Sequence, residues 1–116
     1  MVKRSARERL QDIVDAITKI DRFVAGKSFE DFNTDALVHD AVVRNLEIIS
    51  EASRHIPAEL RAKLPHIAWR EIADFGNVLR HGYEMVNDSI LWSTIERDLP
   101  VLRLAVDDLL ADPKVA

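Results

Sequence analysis

Apolar residues recur along the chain at intervals of three and four. Leu10, Ile13, Val14, Ile17, Ile20 and Val24 make one stripe on a helix of 3.6 residues per turn, which predicts a first helix over residues 5–25. Gly26 stands where a C-terminal helix glycine belongs. Residues 28–33 form a short connector with room for one helical turn. Asn33, Thr34 and Asp35 can each cap a second helix, and Asn33 or Thr34 is the favoured start. Leu37, Ala41, Asn45, Ile49, Ala52 and Ile56 run down one side of that helix. Leu46 and Ile48 widen the stripe, and Pro57 ends it, because the residue before a proline is pushed out of helical geometry. Residues 57–65 connect onward, with a turn of helix at 59–61. A third helix over 66–85 places Ala68, Ile72, Phe75, Leu79 and Gly82 toward the core. Asn87 or Asp88 caps a fourth, which carries Ile90, Leu91, Ile95 and Leu99. Pro100 interrupts or kinks it, and Leu102, Leu104, Val106, Leu109 and Leu110 finish it before Asp112 and Pro113. No period-two alternation or internal repeat is visible. The pattern predicts an all-α chain, an antiparallel helical bundle of four long helices plus short helical turns, in a single domain over residues 1–116. The first and last helices are apolar on more than one side. A well-buried core explains this, and so does a homodimer interface.

Composition narrows the picture. At 116 residues and 47% apolar, the chain can bury a core without staples. The absence of cysteine removes disulfides, zinc–thiolate sites and thiol nucleophiles together. Residues 1–9 run into charged helix without a signal-like apolar segment, and no stretch reaches the ~20 apolar residues of a membrane span, so a cytoplasmic protein is expected. The net charge of −4 is unlike a general nucleic-acid coat protein, so any RNA contact must come from a local patch.

The segment over residues 69–83 carries the candidate chemistry. At about 100° per residue, Arg70, Asp74, Asn77, His81 and Glu84 share one narrow face, away from Ile72, Phe75 and Leu79. Such a face is either simply solvated or a site. Gly76 and Gly82 interrupt a strong helical pattern, at roughly 0.8–1 kcal/mol each relative to alanine, which suggests close approach of another backbone, a second protomer or a ligand. Tyr83 is the single tyrosine and diverges from His81 by about 200° on a regular helix. The histidines, His39, His55, His66 and His81, show no helical metal-ligand spacing and no HExxH motif, so neither a metal nor another cofactor is expected. Ser50, Ser53 and Ser93 lack a nucleophile elbow, and no phosphate-cradling glycine loop is present. A second polar set, Asp40, Arg44, Asn45, Glu47 and Glu51, lies on the second helix. Asp40–Arg44 supports that helix, while Glu47–Glu51 opposes it unless Glu51 faces a neighbouring basic group.

Four blocks in order resemble the HepT-like branch of the HEPN superfamily. They are residues 40–52, the Pro65-His66-Ile67-Ala68-Trp69 lead into the third helix, Asn77-Val78-Leu79-Arg80-His81-Gly82-Tyr83, and residues 92–102 with Asp98-Leu99-Pro100. The resemblance spans roughly residues 7–110. It implies a HEPN-like bundle that dimerises and cleaves RNA without a metal at the dimer cleft. It also implies a minimal nucleotidyltransferase antitoxin as partner, which silences the RNase toxin by transferring AMP to the motif tyrosine. Carried over, His81 is the catalytic acid or base, Asn77 a site residue and Tyr83 the modification site. No membrane or DNA partner is implied. The motif's arginine falls at Gly76, which cannot stabilise charge on a phosphate. Arg80 is the nearest substitute, although it projects about 100° from His81, and Arg70 lies about 16 Å away along the helix. Three readings follow: a metal-independent endoribonuclease, a catalytically degenerate binding module of the same family, or a nucleotide-sensing helical dimer. RNase activity created by Gly76→Arg would mark a degenerate enzyme.

Overall fold

A computed structural model describes residues 4–82 and 86–116. The first helix, α1, is Ala6–Val24, and Ser5 caps it through a reciprocal box with Glu8. Gly26, at φ 72°, turns the chain out of it. The connector forms a short helix, α2 (Phe29–Thr34), capped the same way by Ser28 and Asp31. The next helix, α3 (Ala36–Arg54), is capped by Asp35, whose carboxylate accepts from the backbone N–H groups of Leu37 and Val38. The favoured caps Asn33 and Thr34 belong to α2 instead, because Ser28 had already started a helix there. His55 ends α3 two residues before Pro57, and α4 (Ala58–Arg61) is the anticipated single turn.

The third long helix, α5, begins at Trp69 rather than His66 and is described as Trp69–Gly82; its predicted end at Met85 lies outside the described residues. Asn87 caps α6 (Asp88–Ser93). A π-turn at Thr94–Asp98 then runs into α7 (Leu99–Ala111). The α-helical pattern is thus interrupted next to Pro100, by a π-turn rather than by a loop. The wider π geometry, with Leu99 N–H donating to Thr94 C=O five residues back, makes room for a ring that lacks a donor and would crowd the preceding turn.

Among the described residues all regular structure is helical. Helix α1 packs against α3 and α7, and α3 packs against α5 on its other side. The core is made of the predicted stripes, with Leu10, Ile13, Ile17, Ile20, Val42 and Val106 fully buried. Four predicted core positions are corrected. Leu37 is 81% exposed at the frayed start of α3, and Leu104 is 68% exposed because α7 turns that flank outward. Ala68 precedes the helix and is exposed, and Ile90 lines an open groove. Arg7 ties α1 to the end of α7 by donating to the carbonyls of Leu110, Asp112 and Val115 at 2.9–3.0 Å.

Candidate functional site on helix α5

Arg70, Asp74, Asn77 and His81 are all exposed, on the polar face predicted for them. Glu84 and Tyr83 lie outside the described residues. His81 is exposed, and its ring makes no hydrogen bond to another described residue. Among the described residues no group of three or more His, Asp or Glu side chains gathers as metal ligands do.

Gly76 is buried, and the neighbour it admits is the side chain of Ser50 on α3. Ser50 Oγ accepts from Gly76 N–H at 3.0 Å and donates to Ala73 C=O at 2.9 Å, stitching the two helices together. Ser50 is 1% exposed. A Cβ added at Gly76 would sit 2.8 Å from Ser50 Cβ and collide with Ser50 Oγ. Gly76→Arg in an otherwise unchanged chain therefore reports on that collision, and cannot serve as the discriminating substitution for a degenerate enzyme.

The Arg80 side chain does not project radially from its helix. It folds back toward the N-terminal end of α5, as helical side chains tend to. Its Nη2 donates to Asn77 Oδ1 at 2.6 Å, and its Nη1 lies 3.3 Å from where a Cβ of residue 76 would be. The guanidinium thus lies beside Gly76, one turn back from its own backbone. There it faces a groove of about 380 Å³ between α3 and α5, shared with His39, Asp40, Val43, Arg44 and Glu47.

The second polar set is rearranged. Arg44 pairs with Glu47 at 3.6 Å rather than with Asp40, whose carboxylate meets His39 Nδ1 at 3.1 Å. The Glu47–Glu51 conflict is relieved as expected for a Glu51 beside basic groups. Glu51 is hydrogen-bonded to His55 at 3.0 Å, and that bond, with the charges of His55, Arg54 and Arg80, holds its carboxyl below the ordinary value. Asn45 is buried and donates to Ala41 C=O.

Two features were missed in the sequence. Ser50 was read only as a poor nucleophile, although a small polar residue inside an apolar stripe is a signal of close helix approach. His39 Nε2 meets Asp88 at 2.9 Å and joins α3 to α6, and its ring stacks 5.4 Å from Phe32. That pairing spans 49 positions and left no local pattern.

A helical bundle presenting an exposed histidine and a folded-back arginine on one helix fits the class that the motif suggested. The chain belongs to the HepT-like ribonuclease family: residues 13–109 match the family described as Ribonuclease HepT-like. Among similar proteins, one from Thermococcus cleftensis named "Probable ribonuclease HepT" is 42% identical over 102 residues, covering 88% of this chain and 93% of its own. Another, from Caldanaerobacter subterraneus subsp. tengcongensis, carries the name "Putative RNase" and is 38% identical over 111 residues, covering 96% and 99%. No solved structure matches significantly.

Proposed function

We propose that this chain is a metal-independent endoribonuclease, the RNase toxin of a toxin–antitoxin pair. In this reading it works as a homodimer and is silenced by AMP transfer to Tyr83 from a minimal nucleotidyltransferase antitoxin. The observation that supports it best is an exposed His81 that follows, in sequence, an Arg80 whose guanidinium is held by Asn77. RNA carries its own nucleophile, so the protein needs only proton transfer and charge stabilisation. A base removes the proton from the ribose 2′-hydroxyl, O2′ bonds to phosphorus, the P–O5′ bond breaks, and an acid protonates the departing O5′. His81 performs one of these transfers, since imidazole titrates near neutral pH. Its counterpart from a second protomer performs the other. Arg80 stabilises the charge that builds on the phosphate oxygens.

The homodimer reading is supported by an open apolar groove of about 450 Å³ between α5 and α6–α7, lined in part by Ile72, Phe75, Ile90 and Val101. Ile90 and Val101 are each 48% exposed, more than a solitary bundle gains from. Tyr83 follows His81 by two residues. An adenylyl group on its phenolic oxygen would add a bulky anion to this stretch of chain and disfavour an RNA backbone. The match of residues 77–83 to the family motif, which implies a nucleotidyltransferase partner, supports that regulation. The degenerate-module reading rested on Gly76, and the position of the Arg80 guanidinium weakens it. The test is cleavage of RNA by the purified chain in EDTA, beside His81→Ala. Cleavage lost in the variant supports the reading, and equal cleavage by both proteins, or none by the parent, refutes it.

A further inference from the structure

We propose that Gly76, Ser50 and Asn77 form a seat for the Arg80 guanidinium, so that an arginine rooted one turn later on α5 acts from the space of residue 76. The role of this arginine in cleavage rests on the ribonuclease reading; the seat itself does not.

Three contacts define the seat. Gly76 has no side chain, so the Ser50 side chain and Nη1 of Arg80 both come close to it, Nη1 lying 3.3 Å from the position a Cβ would take. Asn77 Oδ1 accepts a hydrogen bond from Nη2 at 2.6 Å, which orients the guanidinium. Ser50 forms the floor: its hydroxyl bonds both Ala73 C=O and Gly76 N–H, and so locks this turn of α5 against α3. Glu51, whose carboxyl is held low in part by the Arg80 charge, lies within electrostatic reach on the α3 side. A long, flexible cation on an exposed helix face ordinarily samples many rotamers. Here it is steered to one place, on the turn of α5 that precedes His81. A phosphate that enters the α3–α5 groove meets that cation already oriented, without an ordering step at the moment of reaction.

Gly76 is therefore not a gap in the site. It is the feature that lets the charge be delivered from Arg80. Asn77 and Ser50 are positioning residues in this account, and Arg80 is the residue that touches the phosphate.

The experiment has two arms. The first reads the seat without any reaction: side-chain NMR of the Arg80 Nε–Hε group in the full chain, with the exposed Arg97 as reference. The seat predicts a more ordered Arg80 than Arg97, and loss of that order in Asn77→Ala. Equal mobility of the two arginines in the parent protein overturns the seat. The second arm reads cleavage of a short RNA in EDTA. Arg80→Ala should lower kcat by roughly 10²–10³-fold with a much smaller change in KM, in line with removal of one oriented donor from a charge-stabilising site. Free guanidinium ion should restore part of that loss, because the seat remains. The triple variant Ser50→Gly, Gly76→Arg, Arg80→Val, which roots the arginine at 76 and clears room for its Cβ, should cleave more strongly than Arg80→Ala. Failure of guanidinium to rescue Arg80→Ala overturns the role of the seat, whether or not the triple variant folds. If the parent chain cleaves no RNA, the ribonuclease reading falls, while an ordered Arg80 leaves the seat standing.

Discussion

Gly76→Ala should destabilise this protein, although glycine-to-alanine in a helix interior normally does the reverse. Helix propensity favours alanine by about 0.8–1 kcal/mol. Against it stands the added methyl, 2.8 Å from Ser50 Cβ and closer still to the hydroxyl. Ser50 is 1% exposed in the contact between α3 and α5, so it has little room to retreat. Overpacking of this kind costs about 1–3 kcal/mol, and displacing the hydroxyl weakens its two hydrogen bonds, together about 1 kcal/mol. The net expectation is destabilisation of about 1–3 kcal/mol, a fall in Tm of roughly 4–12 °C for a chain of this size. The assay is a thermal and urea melt of a double-mutant cycle with Ser50→Gly. Removing the Ser50 side chain should make the alanine tolerable, so the double variant should be more stable than the sum of the singles by about 1 kcal/mol or more. A Gly76→Ala protein that melts higher than the parent, with additive effects in the cycle, would refute the packing argument and remove the seat with it.

Other predictions concern stability. Arg7→Ala should cost about 2–3 kcal/mol in a urea melt, because one guanidinium serves three carbonyls at the end of α7, and Arg7→Lys should recover only part, since an ammonium cannot span them. Ser28→Ala should cost about 1 kcal/mol through loss of the α2 cap, measured the same way. Glu51 has a lowered carboxyl, first through its bond with His55, so its stabilisation is present above the ordinary glutamate value and is lost as pH falls through the lowered one. The stability difference between the parent and Glu51→Gln should accordingly shrink toward zero on acidification; a difference that grows would show the sign to be wrong.

Much of the fold could be read from periodicity and caps. The stripe from Leu10 to Ile20 is buried as drawn, and Ser5 and Asn87 begin helices where a cap was expected or plausible. Errors came where two local signals competed. Asn33 and Thr34 are good caps, but Ser28 with Asp31 had already started a turn, which left Asp35 to begin α3. Pro100 marks where the α-helix is interrupted, but the form of the interruption, a π-turn, has no sequence signature. The exposed face of Arg70, Asp74, Asn77 and His81 follows from helical periodicity, but the path of the Arg80 side chain does not. Four rotatable bonds and the N-terminal tilt of helical side chains let the guanidinium reach the preceding turn, where Asn77 receives it beside Gly76. The partner of Gly76, Ser50, lies 26 positions away, beyond any local pattern.

The central claim is that His81 and Arg80 cleave RNA through the substrate's own 2′-hydroxyl. The most direct measurement is incubation of the unmodified chain, in EDTA, with an oligoribonucleotide and with the same oligonucleotide 2′-O-methylated at the cleaved position, followed by analysis of the product ends. The account predicts cleavage of the first to a 2′,3′-cyclic phosphate and a 5′-hydroxyl, and none of the second. Cleavage of the methylated strand, or activity that appears only on adding a divalent metal, would contradict it.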